Sequence, residues 1–203
     1  MAEAEGEEGA PAVAAPPEPE KPTASAELLE ACMLGRAAKL NVYFAKRPEE
    51  KEILNELKSK KNGWSPLQVA CGYAKSEGVQ ALLELGNSVD LVDNMGMTAL
   101  HTAADCPEID VLPLLLAHES SKAALNVQDN DGCTALMYAA WSNRKENVIA
   151  LLRAGADTSL ANGEGKTALA IATEMKNKES IEYITNGPPP EETAADAGGE
   201  KAE

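Results

Sequence analysis

Aromatic side chains are scarce in this 203-residue chain, with two Trp, four Tyr and one Phe. A core therefore has to be assembled from aliphatic residues. Histidine is scarcer still. His101 and His118 are the whole supply, which leaves little material for general-base or metal chemistry. Four cysteines (Cys32, Cys71, Cys106, Cys133) lie far apart, with no C-x-x-C pair. That excludes a zinc ribbon and a dense disulfide framework, and fits the reduced thiols of a cytoplasmic or nuclear protein. No run approaches the ~18 apolar residues of a membrane-spanning helix. The first residues, mostly Ala and Glu, are not expected to act as a secretory signal.

Positive charge is also in short supply. The formal net charge is −15, and it is unevenly spread. Residues 1–25 hold six Glu, one Lys and five Pro, and no aromatic, Leu or Ile. Residues 187–203 hold five acids, one Lys and three consecutive Pro. Neither segment has enough apolar surface to offset the entropy of ordering it, so 1–25 and 188–203 are expected to be disordered tails. The middle is only mildly acidic. A chain without a basic face is a poor match for nucleic acid or for an anionic membrane. The roughly 160 residues between the tails suffice for a stable domain.

What the middle does contain is a repeat. Four segments align: SPLQVAC at 65–71, TALHTAA at 98–104, TALMYAA at 134–140 and TALAIAT at 167–173. Two residues before each stands a glycine (Gly63, Gly96, Gly132, Gly165), at spacings of 33, 36 and 33. After each comes a short turn and a second apolar stripe: VQALLELG at 79–86, VLPLLLAH at 111–118, VIALLRAG at 148–155 and the more polar IEYITNG at 181–187. Ser65, Thr98, Thr134 and Thr167 are placed to cap a first helix. Pro66 stands at the first helical position, where its missing N–H does no harm. The alanines let helices approach closely. The Leu pairs 82–83, 115–116 and 151–152 stand where a second helix must bury against a neighbour.

This pattern resembles the ankyrin repeat, with its period of 33 and its T-P-L-H-x-A signature. The resemblance implies an all-α solenoid of stacked helix–turn–helix units with short β-hairpin-like loops. Five units are expected, at about 26–61, 62–92, 93–128, 129–161 and 162–187. The first, carried by LLEACMLG at 28–35 and by Leu40, Val42, Tyr43 and Phe44, looks like an N-terminal capping repeat. Its link to the second is six residues too long, and the excess falls in RPEEKEILNELKSKK at 47–61. That insert is expected to be a solvated helical turn or loop with i,i+4 charge pairs. Only His101 keeps the family's usual histidine, where the resemblance implies a structural hydrogen-bonding role. Gln68, Met137 and Ala170 replace it elsewhere. Glu179, Glu182, Thr185 and Asn186 give the last repeat a polar outer face, as a terminal cap needs.

Catalytic constellations are missing. No phosphate loop and no nucleophile–His–acid signature is present. Asp129, Asp131 and Gly132 resemble the opening of a calcium loop, but no Glu closes it. No cofactor, no metal and no enzymatic activity is expected. The resemblance implies binding through a concave face, built from hairpin tips and from two positions after each first helix. Carried over residue by residue, that face comprises Trp64, Tyr73, Met95, Met97, Asp105, Cys106, Asp131, Cys133, Trp141, Ser142, Lys166 and Glu174. Three of the seven aromatics fall on it, beside acidic residues. The expected function is a protein–protein interaction module, an adaptor, inhibitor or assembly factor, monomeric by itself. Its partner would carry apolar anchors and basic residues. The alternatives are a cysteine-based redox sensor or minor enzyme, and a structural subunit of a cytoskeletal or signalling complex.

Overall fold

The structure is a computed structural model and describes residues 23–190. Residues 1–22 and 191–203, assigned above to the tails, lie outside the described residues. Five helical pairs follow one another. They are α1 (Ala26–Leu34) with α2 (Ala37–Lys46), α4 (Pro66–Gly72) with α5 (Ser76–Glu84), and α6 (Ala99–Asp105) with α7 (Val111–Ala117). Then come α9 (Ala135–Trp141) with α10 (Lys145–Arg153), and α11 (Ala168–Glu174) with α12 (Lys178–Asn186). Two short helices, α3 (Pro48–Glu52) and α8 (Ser121–Ala124), fall in the segments of excess length. Helices α1, α4, α6, α9 and α11 pack in one row, and α2, α5, α7, α10 and α12 in a second. This is the all-α solenoid that the resemblance implied.

Three of the four expected caps are in place, while the Thr98 hydroxyl pairs with His101 Nδ1 instead. The hydroxyl of Ser65 accepts from the backbone of Gln68, that of Thr134 from Met137 and that of Thr167 from Ala170. Leu82, Leu115 and Leu151 are fully buried, while Leu83, Leu116 and Leu152 pack at the edge of the core. The core is otherwise alanine and leucine, with Ala70, Ala103, Ala139 and Ala172 closed off between inner helices. Small side chains there let the helices meet closely, so dispersion contacts replace the bulk that aromatics would have given.

The hairpin-like loops are tied by a device repeated three times. The backbone N–H of Asp93 donates to Met97, that of Asp129 to Cys133 and that of Asn162 to Lys166. The side-chain oxygen of the same residue accepts the amides two and four positions on: Met95 and Met97, Asp131 and Cys133, Glu164 and Lys166. Each tip then bonds to the next, Asn94 N–H to Asn62, Asn130 N–H to Met95 and Gly163 N–H to Asp131. Gly132 has φ of 77° and stands so close to the next repeat that an added Cβ would lie 2.8 Å from the Gly163 nitrogen.

Two expectations need correction. The domain begins earlier than residue 26 and runs past 187. Ala24 is buried, its N–H donates to the Lys58 carbonyl at 2.9 Å, and Ser25 caps α1. The carbonyl of Pro189 accepts from Arg153 at 2.9 Å. The 47–61 insert holds the expected exposed helical turn, α3, but is not solvated throughout. Helix α3 spans five residues, and its charge pairing within the insert is the i,i+3 contact of Arg47 with Glu50. Leu54 and Leu57 beyond it are buried, and the ammonium of Lys58 donates to the Val92 carbonyl. Burial of two leucines outweighs helix continuation, because the turn that seats them brings apolar surface out of water. Asn55 there binds Gly86, Asn87 and Ser88 in the next repeat.

Candidate interaction surface

The hairpin tips and the C-terminal ends of the inner helices provide the residues expected to bind. Because inner helices repeat in parallel, corresponding positions form rows. One row at the helix ends runs Gly72, Asp105, Trp141 and Glu174, and the next runs Tyr73, Cys106, Ser142 and Met175. At the tips the row is Trp64, Met97, Cys133 and Lys166, flanked by Met95 and Asp131.

Three large side chains on these rows are open to solvent: Trp141 at 57%, Met95 at 54% and Tyr73 at 49%. Met175 is exposed as well. Trp64 is different. It is half-buried, and its ring lies over Gly72, where an added Cβ would be 3.0 Å from the indole and 3.6 Å from the Thr102 methyl. The absent side chain at Gly72 therefore makes room for Trp64, and the indole presents only part of its surface. Met97 and Cys133 are likewise half-buried.

Cys106 was expected to be exposed and is 7% exposed. Pro107 explains this. The residue before a proline is pushed to extended geometry, and Cys106 has φ −67°, ψ 137°. The equivalent turns after α1, α4, α9 and α11 instead pass through a left-handed residue, Gly35, Ala74, Asn143 or Lys176. Proline cannot adopt that conformation, so the residue after α6 is extended where Tyr73, Ser142 and Met175 keep near-helical backbone, and Cys106 turns inward.

Polar contacts hold the acidic groups on this surface. Ser142 donates to the Asp105 carboxylate across adjacent inner helices. The Lys166 ammonium lies 3.0 Å from Glu164 and 2.7 Å from Glu174. These are solvent-screened pairs that fix tip geometry more than stability. The Asp131 carboxylate is exposed, and its backbone is pinned by Asp129.

The thiols are poorly suited to chemistry. Burial pushes Cys32 up to about 12 and also raises Cys71. Desolvation is the first cause at Cys106 and Cys133 too, reinforced at Cys133 by the charges of Asp129, Asp131 and Glu164. A reactive thiol needs the opposite shift, so the redox reading finds no support. Among the described residues no group of three or more His, Cys, Asp or Glu could hold a metal. Asp129, singled out above for a calcium loop, spends one oxygen on Asp131 and Cys133 amides and the other on the Tyr138 hydroxyl at 2.7 Å.

Sequence reasoning missed Ile109, 57% exposed in the loop after α6, and Val92 beside the third tip. The Pro107 turn was the available signal for the first, since it displaces the loop that follows.

A family model described as ankyrin repeats matches residues 28–124 and 110–194. Among curated proteins, the nuclear factor NF-kappa-B p105 subunit of Gallus gallus is 31% identical over 114 residues, 56% of this chain and 12% of that protein. Rabankyrin-5 of Homo sapiens is 29% identical over 125 residues, 61% of this chain and 10% of its own length. Neurogenic locus notch homolog protein 1 of Mus musculus is 29% identical over 128 residues, 63% of this chain and 5% of that protein. The chain thus spans a small fraction of each of these relatives. Repeats of this kind in general mediate protein–protein interaction.

Proposed function

We propose, from the premise that the chain belongs to the ankyrin-repeat family, that it is a non-catalytic protein-binding module whose partner lies along the hairpin tips and inner-helix ends. One observation carries this reading. In a fold whose core is alanine and leucine, Trp141, Tyr73 and Met95 are each about half exposed on that surface. Leaving such side chains in water forgoes burial of apolar area at about 25 cal/mol per Å². Trp and Tyr are also the types that dominate interface energetics. Asp105, Asp131 and Glu174 beside them favour a partner that brings basic residues to an apolar anchor. The hairpin ladder holds these groups on a preorganised backbone, which reduces the ordering penalty of association.

The test compares the proteins captured by the wild-type chain with those captured by a folded Trp64→Ala, Tyr73→Ala, Trp141→Ala variant. Loss of the specific partners supports the reading. Retention at full strength moves the binding site to the tails or to the 47–61 insert.

A further inference from the structure

The proposed surface is not electrically uniform. Its row of helix ends extends into the first repeat, because Gly35 after α1 takes the same left-handed turn as Ala74 after α4, and α1 packs on α4. Leu34 is therefore the counterpart of Tyr73. It is 43% exposed, so the two form an apolar pair at the N-terminal end of the row. In the second repeat the Ser59 N–H donates to the Trp64 carbonyl at 2.8 Å and closes a hairpin tip that presents Lys60 and Lys61. Both lysines are exposed, and neither forms an ion pair among the described residues. The acids of α1, Glu27 and Glu30, line the groove between α1 and α2 at the end of the stack, and α4 has none.

The C-terminal half carries the opposite sign. Trp141 and Met175 are its exposed apolar pair. Asp105 and Glu174 stand at helix ends beside them, and the tips there present Asp131 and Glu164, all exposed. Lys166 offsets Glu164 and Glu174, while Asp105 and Asp131 meet no cation among the described residues. Between the halves the third tip presents Met95. The turns beyond the helix ends carry Arg36, Lys75, Arg144 and Lys176, spread along the whole stack, and so set no polarity. Consecutive tips are hydrogen-bonded to each other, so the order of two lysines, a methionine and an aspartate is held on a fixed backbone. We infer that the segment of the partner bound here is itself two-signed. Its acidic half lies against Lys60 and Lys61, its basic half meets Asp105 and Asp131, and one apolar residue sits on each apolar pair. This rests on the reading that tips and inner-helix ends are the binding surface. Tyr73 and Trp141 are two repeats apart, about 20 Å at helix spacings of ~10 Å, which about six residues of extended chain cover. A uniformly basic segment of that reach would bring like charge against Lys60 and Lys61, which is costly.

Fluorescence anisotropy of dye-labelled peptides titrated with the full chain, at about 50 mM salt so that surface charges are little screened, tests this. The probe peptide holds three glutamates around one leucine, a Gly-Ser-Gly spacer, and three basic residues around a second leucine about six positions on. Two controls keep the leucines and make every charged position basic, or every one acidic. The two-signed peptide should bind at least ~10-fold more tightly than either control. The double variant Lys60→Glu, Lys61→Glu should keep the helical circular-dichroism signal, since both side chains are exposed, and should move the preference to the all-basic peptide. An all-basic peptide that binds the wild-type chain as tightly as the two-signed one overturns the inference. So does a two-signed preference that survives the double reversal, or a two-signed peptide that does not bind. Trp141→Ala separates this failure from that of the surface itself. If it weakens the two-signed and all-basic peptides alike while they bind equally, the surface stands and its polarity does not. If it weakens neither, the binding surface lies elsewhere and the inference falls with it.

Discussion

The Gln68 side chain donates to the carbonyl of Met97, one repeat further along, at 2.7 Å. His101 makes the matching reach from its own repeat, with Nε2 3.1 Å from the Cys133 carbonyl. Each also serves its own helix start. The Ser65 amide donates to the Gln68 side-chain oxygen at 2.9 Å, and the Thr98 amide to His101 Nδ1 at 3.0 Å. Glutamine therefore replaces the family's histidine without loss of either bond, because an amide also offers one acceptor and one donor. Met137 and Ala170 cannot do this. The fourth and fifth repeats are tied instead by Asn177, whose side-chain amide donates to the Ala140 carbonyl at 2.7 Å.

A pH dependence follows for His101. Burial lowers its pKa from the ordinary value of 6.5, and the Thr98 amide needs Nδ1 unprotonated. The unfolded chain binds a proton below pH 6.5 that the folded chain resists, so stability is complete above 6.5 and falls as pH drops toward the lowered folded pKa. The melting temperature should therefore decline below pH 6.5, ahead of carboxylate protonation. His101→Gln should remove that decline and keep neutral-pH stability close to wild type. An unchanged decline in the glutamine variant would assign it to another group.

Asn147 supports a second inter-repeat prediction. Its side-chain amide, fully inside the stack, donates to the carbonyls of Ala103, Ala104 and Cys106 at 3.2, 3.0 and 3.3 Å. Ala103 also accepts from the Cys106 amide, whereas Ala104 and Cys106 are acceptors at the end of α6 with no backbone donor. Asn147→Leu is similar in size and leaves the carbonyls of Ala104 and Cys106 without a donor, at a cost of about 1–3 kcal/mol. Urea melts should show the midpoint fall with the slope unchanged. A neutral effect would mean that water reaches the α6 end.

Leu151 is fully buried on α10, which packs against α12. Leu151→Ala should destabilise by roughly 2–5 kcal/mol. Because each repeat rests on its neighbours, amides of α11 and α12 should exchange faster before those of α4 and α6. Uniform acceleration along the stack would contradict a locally supported last repeat.

Much of this was legible in the sequence because the repeat imposes it. Glycines at spacings of 33 and 36, followed two residues later by Ser or Thr, set the start of four inner helices to the residue. The tip device was equally present and went unread. Asp93, Asp129 and Asn162 each stand three residues before a turn glycine, which is the spacing an Asx side chain needs to hold a tight loop. Cys106 was misplaced because family position alone governed the expectation, whereas Pro107 is a stronger local constraint. The insert was misjudged because its charge density hid Leu54 and Leu57, and only tertiary packing decides which of two such leucine-bearing turns is buried. Exposure of Trp141 against half-burial of Trp64 depended on Gly72, a residue that gains meaning once neighbouring helices are in place.

Binding is where Trp141 and Trp64 should part. Trp141 is 57% exposed on an inner-helix end between Asp105 and Glu174 of the adjoining repeats. Trp64 is already packed over Gly72. Truncating an interface Trp commonly costs about 2 kcal/mol or more, hence ~30-fold in affinity. Trp141→Ala should show this loss at little change in melting temperature, since its ring contributes little to the core. Trp64→Ala should lower the melting temperature and weaken binding less. Asp105→Asn should mainly slow association and flatten its dependence on salt, because rim charges steer encounter more than they hold the complex. Surface plasmon resonance against a captured partner, at two ionic strengths, separates these effects. If Trp141→Ala leaves the dissociation rate unchanged while Trp64→Ala raises it, the anchor lies at the hairpin tips and the inner-helix ends are only its border.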